Sequence, residues 1–217
     1  MLQNATIETL ENFASINKGL VFKPGNRLRT VSILKNVFAV AEVPDTFDRE
    51  FAIYDLNEFL AVLSLLNKPA LDFKEEYVLI TDGKSKIKYF YSSPAVVQAP
   101  PDKDIVLTDP ELTLTLTKDD LTRISKASAA LKLTVLSLSQ GKVVAADPTA
   151  SSKDGSNSLN IEVETSGESD NVRAIKIENM KMIPGDYSVS VFERAVEFRN
   201  KDRENLVYIV AVEQEKK

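Results

Sequence analysis

Asp55-Leu56-Asn57-Glu58-Phe59-Leu60-Ala61-Val62-Leu63-Ser64-Leu65-Leu66-Asn67-Lys68-Pro69 holds a complete helix together with its start and stop signals. Asp55 is a helix-capping residue type, and Glu58 three positions on gives the capping-box pattern. Leu56, Phe59, Leu60, Leu63 and Leu66 recur at helical spacing and form a core stripe. Pro69 forbids continuation. Val62 and Leu65 lie opposite that stripe, so the helix is apolar on two sides. Either it is sandwiched inside its own domain, or Val62 and Leu65 meet another subunit or helix.

The same punctuation recurs in both directions from this helix. Upstream, Thr6 to about Lys18 carries Ile7, Leu10, Phe13, Ala14 and Ile16 on one face and stops at Gly19, a favoured residue just past a helix end. Downstream, Thr117 opens a helix over Lys118 to Leu131. Leu121, Ile124, Ser128 and Leu131 share its core face, while Arg123 and Lys126 point the other way. A fourth, shorter helix is predicted over Glu178 to Met182, closed by Pro184-Gly185.

Everything between reads as strand and hairpin. Leu20 to Phe22 meets a Pro24-Gly25 turn, Val37 to Val43 is β-rich, and Tyr77 to Ile80 enters an Asp82-Gly83 hairpin leading to Ile87 to Tyr91. Leu131, Leu133 and Val135 alternate with polar residues, as do Tyr187, Val189 and Val191, and Leu206 to Val212 closes the chain. Asp147 to Ser158 and Glu164 to Asn171 read as mobile hairpin loops.

Helix starts at 6, 55, 117 and 178 imply one helix-plus-meander unit occurring four times. The proline-rich piece Pro94 to Pro110 has the composition of an exposed connector near the middle. The expected fold is therefore α+β, with two similar domains over 1–107 and 108–217, each with antiparallel sheets outside and two helices on the inner face. Helices on one face only leave the other sheet face to water. Unpaired sheet edges at both ends permit head-to-tail association into a ring.

Composition narrows the chemistry. The 217 residues include no His, Cys or Trp, which removes Ser-His-Asp and Cys-His nucleophiles, disulfides and the usual zinc and haem ligands. No catalytic residue, metal site or cofactor is assigned, and a non-enzymatic protein is expected. Charged residues at 27% and hydrophobic ones at 43%, with no secretory signal or long apolar run, point to an intracellular, water-soluble protein with no membrane role. A net charge of −5 argues against a simple basic nucleic-acid binder, but not against basic residues gathered on one surface.

Four segments then carry a specific resemblance. Asn12-Phe13-Ala14-Ser15-Ile16-Asn17-Lys18-Gly19, Ala52 through Leu66, Asn179-Met180-Lys181-Met182-Ile183-Pro184-Gly185-Asp186-Tyr187 and Tyr208-Ile209-Val210-Ala211-Val212-Glu213 resemble, in order and spacing, the sliding clamps of T-even-type bacteriophages. The resemblance covers nearly the whole chain. It implies a DNA polymerase processivity factor: a homotrimer ring of two-domain subunits that encircles duplex DNA. It further implies loading by an ATP-dependent clamp loader, tethering of the phage replicative DNA polymerase, and a late-transcription role. The expected location is the cytoplasm of the infected bacterial host.

In that family, basic helix residues face the phosphates. Carried over residue by residue, Arg123 and Lys126 fit best, Lys176 and Lys181 are plausible additions, and Lys18 is a weaker one. Glu8 and Glu11 depart from the pattern, so either they point away from the DNA or the grip is looser. Ile105, Val106 and Leu107, following Asp104, lie where clamps hold a partner's hydrophobic peptide. They also suit the first strand of the second domain. Asp102-Lys103-Asp104 and Asp119-Asp120 are better explained locally than as metal ligands, and Gly83-Lys84-Ser85 lacks the earlier glycine of a phosphate loop. The competing readings are a carboxylate- or metal-dependent hydrolase of α+β fold and a structural ring subunit of a phage particle.

Overall fold

A computed structural model describes residues 1–103, 105–148 and 156–214, and the chain divides into two units, Met1–Asp102 and Lys103–Lys217. The first unit runs α1 (Asn4–Ile16), β1 (Leu20–Phe22), β2 (Gly25–Val31), β3 (Val37–Phe47), β4 (Phe51–Ile53), α2 (Leu56–Ser64), β5 (Ala70–Phe73), β6 (Tyr77–Thr81) and β7 (Lys86–Phe90). All its pairings are antiparallel: β1 with β4, β2 with β3, and β5-β6-β7 in sequence. Phe22, Phe47, Phe51, Phe73 and Tyr91 form an aromatic cluster, with Phe22 and Phe51 stacked at 4.5 Å and Phe51 against Tyr91 at 4.7 Å.

Helix α1 begins two residues earlier than its apolar pattern predicts, because its cap comes from a distant strand. Asp45 on β3 accepts the Gln3 N–H at 2.8 Å and the Thr6 hydroxyl at 2.5 Å. The helix ends at Ile16, and the extended Asn17 (φ −146°) shows that Gly19 is not a left-handed cap. Gly19 is required for a different reason: a Cβ there would sit 2.9 Å from Val97 Cγ1 and 3.3 Å from the Tyr54 carbonyl. This close approach lets the Leu56 N–H reach the Lys18 carbonyl at 2.7 Å, tying the end of α1 to the start of α2.

Helix α2 opens as its sequence dictates, with Asp55 accepting the N–H groups of Asn57 and Glu58 at 2.9 and 3.2 Å. The Glu58 carboxylate, expected to reach back to the cap, accepts the Tyr89 hydroxyl at 2.9 Å. Leu56, Phe59 and Leu63 are buried, whereas Leu60 and Leu66 are only half-buried. The helix stops at Ser64, before the end expected at Asn67-Lys68-Pro69, and Lys68 takes a left-handed φ of 49° before Pro69.

The second unit holds β8 (Leu112–Leu116), α3 (Lys118–Leu131), β9 (Val135–Ser139), β10 (Lys142–Ala146), β11 (Ser158–Glu162), β12 (Thr165–Ser166), β13 (Arg173–Lys176), β14 (Tyr187–Val191), β15 (Ala195–Asn200) and β16 (Val207–Ala211). One antiparallel sheet runs β11-β10-β9-β13, and the other places β12-β8-β14-β15-β16 side by side. In β8, Leu112, Leu114 and Leu116 point inward and Thr113 and Thr115 outward, the period-2 pattern of a one-sided sheet. Arg173 clamps Glu111 through Nε (2.7 Å) and a second guanidinium nitrogen, holding that carboxyl below its usual range.

Three expectations are corrected here. The fourth helix does not form: Ile177–Asn179 is a single 3-10 turn, and the second unit therefore has one α-helix among its described residues. The Ile177 N–H is committed to the Thr134 carbonyl at 2.9 Å, and Met180 leaves helical space (ψ 60°). The few residues before Pro184 are too short a run to sustain a helical nucleus. Leu131, expected in the core, is 41% exposed at the last turn, where left-handed Lys132 (φ 56°) ends the helix. Glu164 to Asn171 is not simply a loop. It contains β12, and Gly167 (φ 98°) passes so close to Glu111 that a Cβ would lie 2.8 Å from its carbonyl oxygen. Within Asp147 to Ser158, residues 149–155 lie outside the described residues.

Candidate nucleic-acid interface

Helix α3 is set by a full capping box: the Thr117 hydroxyl accepts the Asp120 N–H at 3.1 Å and Asp120 accepts the Thr117 N–H at 3.0 Å. Asp119 and Asp120 thus sit in the first turn, where the helix dipole favours negative charge. Only Ile124 and Ser128 are fully buried, so most of the helix faces away from the sheet. Arg123 and Lys126 are both exposed on that outward side, with the small Ala127 and Ala130 between and beside them. Among the described residues neither makes an ion pair. Two features escaped the sequence reading: Lys118 is a third cation on α3, and exposed Asp119 falls within the same outward face as Lys126.

The other candidates stand differently. Lys176 ends β13 and is shared between Glu178 and Glu213, at 3.8 and 3.9 Å. Lys181 is exposed just past the 3-10 turn, and its N–H bonds the Asn179 carbonyl at 2.9 Å. Lys18 belongs to the first unit, exposed at the junction of α1 and α2. The helices of that unit carry no Lys or Arg, and Glu8 and Glu11 are exposed on α1.

Ile105 and Val106 are 40% and 77% exposed and Leu107 is half-buried. They form no strand, since β8 begins at Leu112, and they line none of the described cavities. Asp104 lies outside the described residues. The start of the connector is built into the first unit: Gln98 donates to the Ser32 carbonyl at 2.8 Å, and Asn17 donates to the Gln98 carbonyl at 2.9 Å. Asp102 pairs with Lys23, and its carbonyl accepts from Arg29 at 2.9 Å. The turn that Gln98 clasps presents Ile33 and Leu34 at 65% and 82% exposure, an apolar pair whose signal in the sequence was only its place between two strands. Val62 is half-buried, and Leu65, just past the end of α2, is 72% exposed.

The Gly83-Lys84-Ser85 amides are occupied locally, because Asp82 accepts the N–H groups of Lys84 and Ser85 at 3.0 and 2.8 Å. Those two bonds lower the Asp82 pKa.

A two-unit antiparallel scaffold with a basic helix face defines a class. The fold is that of Proliferating Cellular Nuclear Antigen from Entamoeba histolytica, matched with a TM-score of 0.70 over 97% of this chain and 95% of that one, at 14% identity. Residues 3–97 match the family described as DNA polymerase processivity factor, and residues 113–214 match the gp45 sliding clamp, C terminal. The sliding clamp of Vibrio phage KVP40 is 36% identical over 88% of this chain and 89% of its own length, and that of Enterobacteria phage T4 is 29% identical over 98% and 96%. The chain belongs to the sliding-clamp family, and its function is that of a DNA polymerase processivity factor in phage replication.

Proposed function

We propose that this chain works as a closed ring of three copies around duplex DNA, with Arg123 and Lys126 on α3 as the principal phosphate-facing residues. The exposed, unpaired cations of α3 carry the reading, since the helices of the first unit offer no base at all. Lys181 in the same unit and Lys18 in the first unit are further phosphate-facing candidates, and Lys176 contributes less because two carboxylates share it. Such contacts read no sequence and weaken with salt, so retention comes from encirclement. The two units serve as the two clamp domains, joined by a connector within 94–110.

The ring holds the phage DNA polymerase, is opened by an ATP-dependent loader, and serves late transcription as well. It has no active site and acts in the cytoplasm of the infected cell. The polymerase docks a short hydrophobic peptide at Ile105, Val106 and Leu107, where Val106 supplies exposed apolar surface. Val62 and Leu65 contribute to contacts between copies, with exposed Leu65 as the principal one.

The decisive experiment is Arg123→Glu with Lys126→Glu. The expected result is loss of polymerase stimulation by about tenfold or more, with the native mass unchanged. Full stimulation in that variant overturns the assignment. In parallel, Val106→Asp is expected to abolish binding of a polymerase C-terminal peptide.

A further inference from the structure

The turn that replaces the fourth helix leaves a groove of about 510 Å³ in the second unit, between α3 and residues 177–184. Its α3 wall mixes the small Ser125, Ser128 and Ala129 with Leu121, Thr122 and Ile124, and its far wall is apolar, with Met180, Met182 and Ile183. Two of the chain's three methionines are here, and methionine adapts to whatever apolar shape it meets. Ser128 is only 9% exposed, and its hydroxyl has no hydrogen-bond partner, an unsatisfied polar group on the groove's α3 side.

The groove is held open. The Tyr187 hydroxyl donates to the Ile183 carbonyl at 2.5 Å, and the Tyr208 hydroxyl accepts the Ile183 N–H at 3.2 Å. Both tyrosines are fully buried, so the far wall is anchored to the core. At one end the Lys118 N–H donates to Asp186 at 2.7 Å, fixing the first turn of α3 to the end of the same wall. Neither wall can move in to fill the space without breaking these bonds.

We propose that this groove docks an amphipathic helix from a protein partner, with apolar side chains inserted between the walls and acidic residues at its flanks. Charge selects the occupant: Lys118 and Lys126 stand on the α3 side, about 12 Å apart along the axis, and no lining residue is acidic. Geometry selects a helix, because the small, exposed Ser125 and Ala129 let another helix approach α3 closely, and the first unit already packs α1 against α2 as a helical pair. The incoming helix takes the place that the absent fourth helix leaves. Lys126 belongs both to this rim and to the proposed DNA-facing stripe, so partner and duplex oppose one another there.

The probe is a fluorescein-labelled stapled helix of about four turns, with Leu at i, i+4 and i+7 and Glu at both flanks, titrated into the full chain by anisotropy. Saturable binding is expected. A probe with Lys replacing Glu is expected to bind about tenfold more weakly, and Ala129→Trp, at an exposed position, to weaken the original probe about tenfold or more. Ser125→Tyr repeats the block at a second exposed position, so one misfolded variant does not end the test. Methyl resonances separate the sites: Met180 and Met182 should shift, while Met1, which lines the groove between α1 and α2, should not. No binding up to about 1 mM, equal binding to both blocked variants, or a shift of Met1 alone overturns the proposal. Arg123→Glu tests the DNA reading separately, since Arg123 does not line this groove.

Discussion

The two units solve the same problem with different helical layers. In the first, α1 and α2 pack together, contain no Lys or Arg, and carry Glu8, Glu11 and Glu58. In the second, α3 has no α-helical partner among the described residues, carries Lys118, Arg123 and Lys126, and borders an open groove. Structural integrity and surface chemistry are thus divided: one layer is a packed, acidic helix pair with a smaller groove, the other a basic helix beside a larger one. A net charge of −5 conceals this division, because it averages the two.

The comparison breaks most easily through the cores of the two layers. Leu10 and Ile124 are both essentially inaccessible to solvent, but only Ile124 lines the groove. Leu10→Ala is expected to cost about 3–5 kcal/mol, with a cavity trapped away from any groove, and Ile124→Ala about 2–3 kcal/mol, because its groove side relaxes. Urea unfolding monitored by circular dichroism, with hydrogen exchange resolving the two helices, checks the order. Equal losses would mean that the groove side of α3 is as tightly packed as the surroundings of Leu10.

Charge gives the next test. Glu8→Lys with Glu11→Lys gives the first layer the sign of the second, and is expected to steepen the salt dependence of DNA retention by up to about two units of slope. An unchanged slope would show that the exposed face of α1 turns away from the duplex.

Smaller effects sharpen the contrast in how the helices are fixed. Asp45→Ala removes the long-range cap of α1 and should cost about 1–2 kcal/mol, read as faster exchange in its first turn. Ser128→Ala removes the unpartnered hydroxyl on the groove's α3 side. It is expected to be neutral or stabilising by up to about 1 kcal/mol in thermal melts.

What was legible in the sequence follows the range of the forces involved. The starts of α2 and α3 could be read directly, because Asp55 and Thr117 cap their own chains within three residues. The start of α1 could not, since its cap lies on β3, some forty positions away. The residues around Asn179 to Pro184 resemble a family helix and its turn, but the hydrogen bond from Ile177 to Thr134 draws the segment into a 3-10 turn that periodicity does not anticipate. Arg123 and Lys126 were identifiable as outward cations from spacing alone. The groove beside them was not, because it arises from a helix that fails to form. Gly19 illustrates a correct residue with a wrong reason: the pattern suggested a cap, and the structure requires the missing side chain.

Asp45 also bears on the order of events in folding. A helix capped by its neighbours can nucleate as soon as it is synthesised, whereas α1 gains its N-terminal anchor only after β3 exists and the intervening loop has closed. Although it precedes β3 in the chain, the thirteen-residue α1 is therefore among the later helices to become secure. Its opening turn should fray whenever that strand loosens, so the two ought to exchange their amide protons as one cooperative unit.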